Sequence, residues 1–216
     1  LDARDWEDIA SFSDASGNYV LVGDVGDNFA LRPMVELYLL GSAFGLLLQQ
    51  RGYVTLHANA FGRGGQAFAV TGSSGRGKST LAARLWRRGL TLFGDDVCAI
   101  DPSGSTPVVL PGMPRVRLWQ DALDAIGLDR ASMTRVRDGE DKFAIRAETA
   151  TMPAPLGGVV LLEEAHENLP HFRRLTGGEA LSALLRNTYR PRQVRHSVGI
   201  ERHFEHCAAI ARAVPE

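Results

Sequence analysis

The hydrophobic and polar positions of the chain form two patterns, short apolar runs closed by turn residues and longer runs with helical spacing. Short apolar runs are typical of strands. They predict strands at residues 19–22, 54–58, 66–71, 90–93, 97–100, 116–118, 143–146, 157–163 and 171–175. Apolar residues three or four positions apart predict helices at residues 34–50, 79–88, 119–126, 178–186 and 200–213. The mixture of these elements predicts the α/β class.

A single domain is expected over residues 1–216, because no repeat, low-complexity segment or linker interrupts the pattern. Residues 1–53 would supply N-terminal strands and a helix, and residues 54–101 the central core. Residues 102–216 would complete the sheet and add the C-terminal helices. The charged stretch at 129–141 predicts a mobile loop, and residues 135–142 are either a lid over a ligand or a solvated loop without function.

The charge balance bears on the classes of partner. The chain has 24 basic and 25 acidic residues, a net charge of −1, which disfavours a whole-surface attraction to nucleic acid or to an anionic membrane. The longest apolar stretch, residues 37–48, is too short to span a bilayer. Cys98 and Cys207 lack metal-ligand spacing, and residues 1–6 are too polar for a secretory signal. A cytoplasmic protein without nucleic-acid or membrane partners is therefore expected.

A glycine-rich segment lies between a predicted strand and a predicted helix. It reads Gly72-Ser73-Ser74-Gly75-Arg76-Gly77-Lys78-Ser79 and is followed by Thr80. Glycines let backbone N–H groups turn inward around phosphates, and the helix that follows adds its N-terminal donors. In this pattern Lys78 supplies a charge for the β and γ phosphates, and Ser79 supplies a hydroxyl for Mg²⁺. Residues 72–80 are therefore predicted to bind a nucleoside triphosphate.

Two adjacent carboxylates, Asp95 and Asp96, follow the strand predicted at 90–93. Side chains alternate along an extended chain, so the two carboxylates cannot easily reach the same group. One would hold Mg²⁺ while the other accepts a proton from an attacking hydroxyl. Both are therefore candidates for catalysis and for metal binding. The alternative is a solvated turn, for which the sequence from Gly94 to Asp96 is also suited.

Four further cations are secondary candidates. His57 lies in the strand predicted at 54–58, where adjacent strands would bring it near the loop or the acidic pair, although a lone histidine there is more often a core residue. Arg115 or Arg117 could neutralise charge on a transferring phosphoryl group, or be surface arginines. Lys142, one of only two lysines in the chain, could contact substrate from the predicted lid.

Taken together, these motifs resemble the kinase domain of the HPr kinase/phosphorylase family. The resemblance rests on His57-Ala58, the glycine hairpin at 62–65, the loop at 72–79 and the Asp95-Asp96 pair. It implies a P-loop-containing fold similar to phosphoenolpyruvate carboxykinase, with a mixed β core flanked by helices. It also implies ATP-dependent phosphorylation of a protein serine, with an aspartate of the pair as base and His57 assisting.

The resemblance covers about residues 54–101, and the long signature segment that classical members carry after the acidic pair has no match here. It therefore implies neither a reverse phosphorylase activity nor HPr itself as the acceptor. The chain is more similar to short, stand-alone HPr-kinase-like proteins. Some of those phosphorylate a serine at the end of a lasso-peptide precursor.

The expected function is therefore a serine kinase of a protein or peptide, with ATP and Mg²⁺ as cofactors. The catalytic candidates are Asp95, Asp96, His57 and Lys78. Two other classes stay open, a kinase of a small metabolite and a non-catalytic nucleotide-sensing or NTPase switch module. Classical relatives are hexamers, and a homo-oligomer is left open as well.

Overall fold

The computed structural model describes residues 10–14, 17–21, 38–128, 133–136, 139, 141–164 and 172–214. Its strands are β1 (Ala10–Asp14), β2 (Gly17–Leu21), β3 (Val54–Leu56), β4 (Ala58–Arg63), β5 (Gln66–Gly72), β6 (Thr91–Gly94), β7 (Cys98–Asp101), β8 (Val108–Val109), β9 (Arg115–Trp119), β10 (Thr134–Arg135), β11 (Lys142–Arg146) and β12 (Ala154–Leu162). A π-helix at Tyr38–Ala43 runs into the first α-helix. The α-helices are α1 (Phe44–Gln50), α2 (Lys78–Arg87), α3 (Gln120–Ile126), α4 (Gly177–Arg186), α5 (Val194–Ser197) and α6 (Ile200–Ala213), and a 3₁₀ turn at Pro191–Gln193 precedes α5.

The main sheet has seven strands in the order β3-β7-β8-β12-β5-β4-β6. Strands β12 and β5 pair in parallel, whereas the other pairs described for this sheet are antiparallel. A second sheet has the antiparallel order β10-β11-β9, and β1 pairs with β2. The expected α/β class with a mixed β core is confirmed.

Apolar side chains pack on both faces of the main sheet. On one face Ala69 of β5 belongs to a cluster with Leu184 of α4 and Ile210 of α6. On the other face Val70 belongs to a cluster with Ala82 of α2 and Leu118 of β9. Consecutive residues of β5 thus pack into different hydrophobic clusters, as the alternation of side chains in a strand requires. Helices therefore cover the sheet on both sides.

The antiparallel pairing of β4 brings three loop regions to one end of the sheet. Strand β4 is antiparallel both to β5 and to β6, so its first residue lies beside the last residues of both neighbours. His57 comes directly before β4, the glycine-rich loop directly after β5, and Asp95 directly after β6. The topology thus gathers these three sequence features around one end of β4.

Several predicted elements differ from the structure. The strand predicted at 54–58 is interrupted at His57, because β3 pairs with β7 whereas β4 pairs with β5 and β6. The predicted loop at 129–141 contains β10, which pairs with β11. The strand predicted at 171–175 is wrong over residues 172–175, which are exposed or half-buried and form no ladder.

The N-terminal part of the chain is described only in pieces. The helix predicted at 34–50 is described from Tyr38 onwards, where a π-helical stretch precedes α1, and residues 34–37 lie outside the described part. In the stretches that the structure describes, no helix combines the length and the apolar character needed to cross a bilayer.

Candidate functional site

The loop between β5 and α2 is open to solvent, whereas its lysine is buried. Residues 73–77 are all exposed, and Lys78 is only 7% exposed. The Lys78 ammonium donates to the carbonyl oxygens of Gly72 at 2.7 Å and Ser73 at 3.0 Å. Helix α2 has no acidic residue in its first turn and no side-chain cap at its N-terminus. The helix N-terminus and Lys78 therefore place positive charge next to the exposed loop.

Two glycines of the loop have backbone requirements that other residues do not meet easily. Gly72 has a φ of +145°, and a Cβ at this position would lie 2.6 Å from the carbonyl oxygen of Leu162 in β12. Gly77 caps α2 with a φ of +80°. Both angles fall in regions that L-residues with side chains rarely occupy. These glycines fix the abrupt turn from strand to helix.

The two carboxylates are held by different groups of the same residue. The backbone N–H of Arg117 donates to Asp95 Oδ2 at 2.7 Å, whereas the Arg117 guanidinium donates to Asp96 Oδ2. Arg117 is buried, with only 6% of its surface exposed. It is therefore not the surface arginine of the alternative interpretation. The structure places it against the acidic pair.

Asp96 adopts an uncommon backbone conformation that a buried amide supports. Its φ is +74°, in the left-handed region, which aspartate tolerates better than most residues. The Asp96 backbone N–H donates to Asn59 Oδ1 at 3.2 Å. Asn59 is 1% exposed and its Nδ2 has no partner among the described residues. Asn59 of strand β4 thus supports the turn at Asp96. The turn is therefore not the solvated turn that the sequence left open as an alternative.

His57 lies beside Asp96, at the interruption between β3 and β4. Its Nδ1 is 3.1 Å from the Asp96 carbonyl oxygen and 3.4 Å from Asp96 Oδ1. A carbonyl oxygen only accepts, so the hydrogen bond requires the proton on Nδ1 and leaves Nε2 as an acceptor. The Tyr189 ring stacks on the imidazole with 6.3 Å between centroids. The geometry brings His57 to the acidic pair.

The two carboxylates differ in their acidity. Burial raises the pKa of Asp95 to about 6, and its bond from the Arg117 N–H and the nearby positive charges only partly oppose this. Burial also acts to raise the pKa of Asp96, but the charges of Arg117, His57 and Lys142 outweigh it and hold that pKa below its usual value. The pair thus combines an easily protonated carboxyl with one that stays ionised.

The pKa values of the basic side chains in the site are shifted by burial and by neighbouring charges. Burial lowers the pKa of His57, which Lys78 and Lys142 lower further while Asp96 opposes the shift. Burial likewise lowers the pKa of Lys78, and the charge of Lys142 acts in the same direction. Lys142 is therefore electrostatically coupled to the site from β11. At neutral pH His57 is uncharged.

The acidic pair also approaches the loop through Ser79. The Ser79 hydroxyl lies 3.5 Å from Asp95 Oδ1, and Thr80 follows it in the first turn of α2. A hydroxyl and a carboxylate are oxygen ligands of the kind that Mg²⁺ takes together with substrate phosphates. Among the described residues no group of three histidine, cysteine or acidic side chains could hold a metal by itself. Ser79 and Asp95 are suited to a metal that arrives with its phosphates.

The remaining candidates lie around this centre. Arg115 occupies β9 two residues before Arg117, and therefore points to the same side of the strand. Arg76 of the loop forms an ion pair with Glu164, with 2.7 Å between Nη1 and Oε2. Both Arg76 and Glu164 are well exposed, so this pair contributes little stability.

Sequence reasoning missed three residues that the structure places at the site. Asn59 carries a signal that was available, a buried amide in the otherwise apolar run from Ala58 to Phe61. Glu164 and Tyr189 carry no such signal, because each reaches the site through distant strand and helix packing. Their positions depend on the tertiary fold alone.

The similarity of this chain to known proteins is confined to solved structures. The chain matches no protein-family model and no curated protein. Among solved structures it is similar to the Hpr(Ser) kinase/phosphatase from Coxiella burnetii, with 20% sequence identity and a TM-score of 0.36, over 54% of this chain and 69% of that chain. At this TM-score the likeness supports no argument about the chemistry of this chain.

Proposed function

We propose that this chain is an ATP- and Mg²⁺-dependent kinase that transfers the γ-phosphate to a serine hydroxyl of a protein or peptide. The observation that carries the proposal is the approach of the acidic pair to the loop, with 3.5 Å between Ser79 Oγ and Asp95 Oδ1. A triphosphate held by the loop would have its terminal phosphate next to these carboxylates. Such an arrangement is suited to phosphoryl transfer, which depends mainly on positioning and electrostatics.

The residues present fit the nucleotide and the metal. The N–H groups of the loop and of the first turn of α2 would hold the phosphates, and Lys78 would exchange its two carbonyl partners for phosphate oxygens. Ser79 and Asp95 would hold Mg²⁺. ATP supplies the phosphoryl group and Mg²⁺ offsets its negative charge.

Asp96 is the better placed carboxylate to receive the acceptor proton. Its side chain is 23% exposed, so an acceptor hydroxyl can reach it, and its lowered pKa keeps it ionised at neutral pH. Arg117 fixes one carboxylate oxygen while His57 lies near the other. A weakly basic carboxylate is sufficient where catalysis rests on orientation. In this assignment Asp95 serves the metal and Asp96 the acceptor.

Nucleotide binding is tested first, by calorimetric titration of ATP in the presence of Mg²⁺. Lys78→Ala should weaken ATP binding by at least about tenfold, or about 1.4 kcal/mol. The matched control is Arg63→Ala, at the end of β4 remote from the loop, which should leave the affinity unchanged. Undiminished affinity in Lys78→Ala would mean that the loop does not hold the nucleotide.

Transfer is tested second, with γ-labelled ATP and a pool of serine-containing peptides. Asp96→Asn should keep ATP affinity within about threefold while transfer falls by roughly 100-fold or more. Full transfer by Asp96→Asn would remove Asp96 from its assigned role. If the unmodified chain binds ATP but labels no peptide, the same pool is replaced by free serine and other small hydroxyl compounds. Labelling of these would establish a metabolite kinase, and no labelling would favour a nucleotide switch.

A further inference from the structure

The three-stranded sheet presents one apolar face and one basic face. Val116, Leu118 and Phe143 are buried in the cluster beneath α2 and α3, so the intervening residues of β9 and β11 point the other way. The register sets Lys142 opposite Trp119 and Arg146 opposite Arg115. We call this side of the sheet the basic face, and it comprises Arg115, Trp119, Lys142 and Arg146 around the buried Arg117.

The charge of the basic face is not balanced within its own strands. Neither β9 nor β11 contains an acidic residue. Two arginines, Arg115 and Arg146, stand directly opposite each other. Arg117 is engaged by Asp96, whereas Arg146 is exposed. The residues of β9 and β11 themselves therefore do not neutralise this positive charge.

The basic face is continuous with the candidate site. Arg117 belongs to both, since its N–H and guanidinium hold the acidic pair. Arg146 is about 7 Å along the strands and about 5 Å across from Arg117, from the usual strand spacings. A peptide in extended conformation advances by roughly 3.3 Å per residue. A residue two or three positions from a hydroxyl at Asp96 would therefore be within reach of Arg146.

We propose that the basic face binds an acidic segment of the acceptor, a proposal that rests on the kinase function above. The acceptor would be a peptide whose serine has aspartate or glutamate two or three positions away. The carboxylates would pair with Arg146 by bidentate hydrogen bonds. Trp119 is 47% exposed and lies under Lys142, with 5.6 Å from Nζ to the ring centroid. These two side chains offer the same peptide an apolar contact next to a positive charge.

The test is direct binding without nucleotide, measured by fluorescence anisotropy. Three labelled peptides share one serine and one length, and differ only in having glutamate, glutamine or lysine at two and three positions from the serine. The glutamate peptide should bind about tenfold more tightly than the glutamine peptide, and the preference should weaken with added salt. The lysine peptide should bind least.

Charge reversal locates the binding surface. Arg146→Glu should abolish the preference for the glutamate peptide, and Arg146→Gln should reduce it. Arg63→Glu, which changes the net charge equally at the remote end of β4, should retain it. Thermal unfolding checks that each variant is folded. Equal binding of the three peptides, or equal losses in Arg146→Glu and Arg63→Glu, would overturn the proposal.

Two further measurements separate this proposal from other assignments of the basic face. ATP affinity should be unchanged in Arg146→Glu, and a marked loss would assign the basic face to the nucleotide instead. A labelled single-stranded oligonucleotide should show no Arg146-dependent binding, and tight Arg146-dependent binding would overturn the peptide assignment. Acidic peptides that bind but are never phosphorylated would contradict the kinase function and leave the docking surface standing. Phosphoryl transfer without any preference for acidic peptides would contradict the docking surface and leave the kinase function standing.

Discussion

Two polar clusters in the described part of the chain are each built around a histidine, and they differ in charge. The charged cluster consists of His57, Asp95, Asp96 and Arg117 at the end of β4. The Arg117 guanidinium contacts the Asp96 carboxylate and the Arg117 N–H donates to Asp95, and the cluster opens onto the exposed loop. Its groups are held in place, but burial and neighbouring charges shift their pKa values in opposite directions.

The neutral cluster consists of Thr188, His203 and Cys207, between α4 and α6. His203 Nε2 lies 2.9 Å from Thr188 Oγ1 and 3.5 Å from Cys207 Sγ. All three residues are buried. Burial lowers the pKa of His203 and raises the pKa of Cys207 to about 12, so none of them is charged at neutral pH.

This difference in charge distinguishes a candidate functional site from a structural contact. Isolated charges are costly to bury, and even a paired set is often no more stable than apolar residues of the same volume. Stability therefore gives little reason to assemble the charged cluster, whereas the neutral cluster pairs His203 Nε2 with a hydroxyl and a thiol that the packing of helices has buried. The comparison predicts that variants of the charged cluster respond strongly to charge and pH, and that variants of the neutral cluster do not.

The largest effect on stability is expected for Arg117→Met. The change leaves the Asp96 carboxylate without its guanidinium partner, and should cost about 2–3 kcal/mol, less than for a fully buried pair because Asp96 is partly exposed. Urea unfolding at pH 7 measures it. Arg146→Met, on the exposed side of the same sheet, should change stability by less than about 0.5 kcal/mol.

A double variant tests the reason for that loss. Asp96→Asn in the Arg117→Met background removes the unpaired charge, and should restore at least about half of the lost stability. If Arg117→Met alone leaves the free energy of unfolding unchanged, the ion pair is not what holds the acidic turn. The charged cluster would then lose its distinction from the neutral one.

The parts of this site that could be predicted from the sequence are the local ones. The loop at 72–79 and the turn at Gly94-Asp95-Asp96 can be recognised from short stretches of sequence, because each depends on backbone conformations that glycine or aspartate permits. The adjoining strands and α2 follow from apolar runs with clear ends. The structure has these elements within about two residues of their predicted bounds, the usual uncertainty for element ends.

The parts that could not be predicted depend on partners distant in the chain. The apolar run at 54–58 gives no sign that β3 and β4 pair with different strands, so the interruption at His57 was missed. Arg117 is one arginine among many, and only its position between Val116 and Leu118 distinguishes it. The strand predicted at 171–175 arose from a short apolar pattern, and it is wrong over residues 172–175, which the structure leaves without a ladder.

A second, smaller effect on the free energy of unfolding is expected for Asp95→Asn in protein without nucleotide or metal. The Asp95 pKa is raised from 3.8 to about 6, so the folded state binds this proton more tightly than the unfolded state. The stability due to this group is present below the unfolded pKa and is lost as pH rises through about 6. Asparagine cannot ionise and can still accept from the Arg117 N–H. Asp95→Asn should therefore be about 1–2 kcal/mol more stable than the unmodified chain at pH 7.5.

The pH dependence makes that expectation specific. The gain should shrink as the pH falls from 7 toward 4, because the unmodified carboxyl then becomes protonated in the folded state. Thermal unfolding at a series of pH values measures it, alongside labelled-phosphate transfer, which Asp95→Asn should impair. A gain that is constant with pH, or a loss of stability at pH 7.5, would show that the Asp95 carboxylate is not destabilised by its surroundings.

The smallest effect is expected in the neutral cluster, for Thr188→Val. Valine has nearly the shape of threonine, but it leaves His203 Nε2 without its hydroxyl partner and removes a bond to the Leu184 carbonyl oxygen. The cost should be about 1 kcal/mol. Since none of the three side chains is charged above pH 6.5, the cost should be the same at pH 7 and pH 8.5, and ATP affinity should not change. A cost that varies over this range, or a weakened ATP affinity, would mean that the second histidine is coupled to the site, and that charge alone does not separate the two clusters.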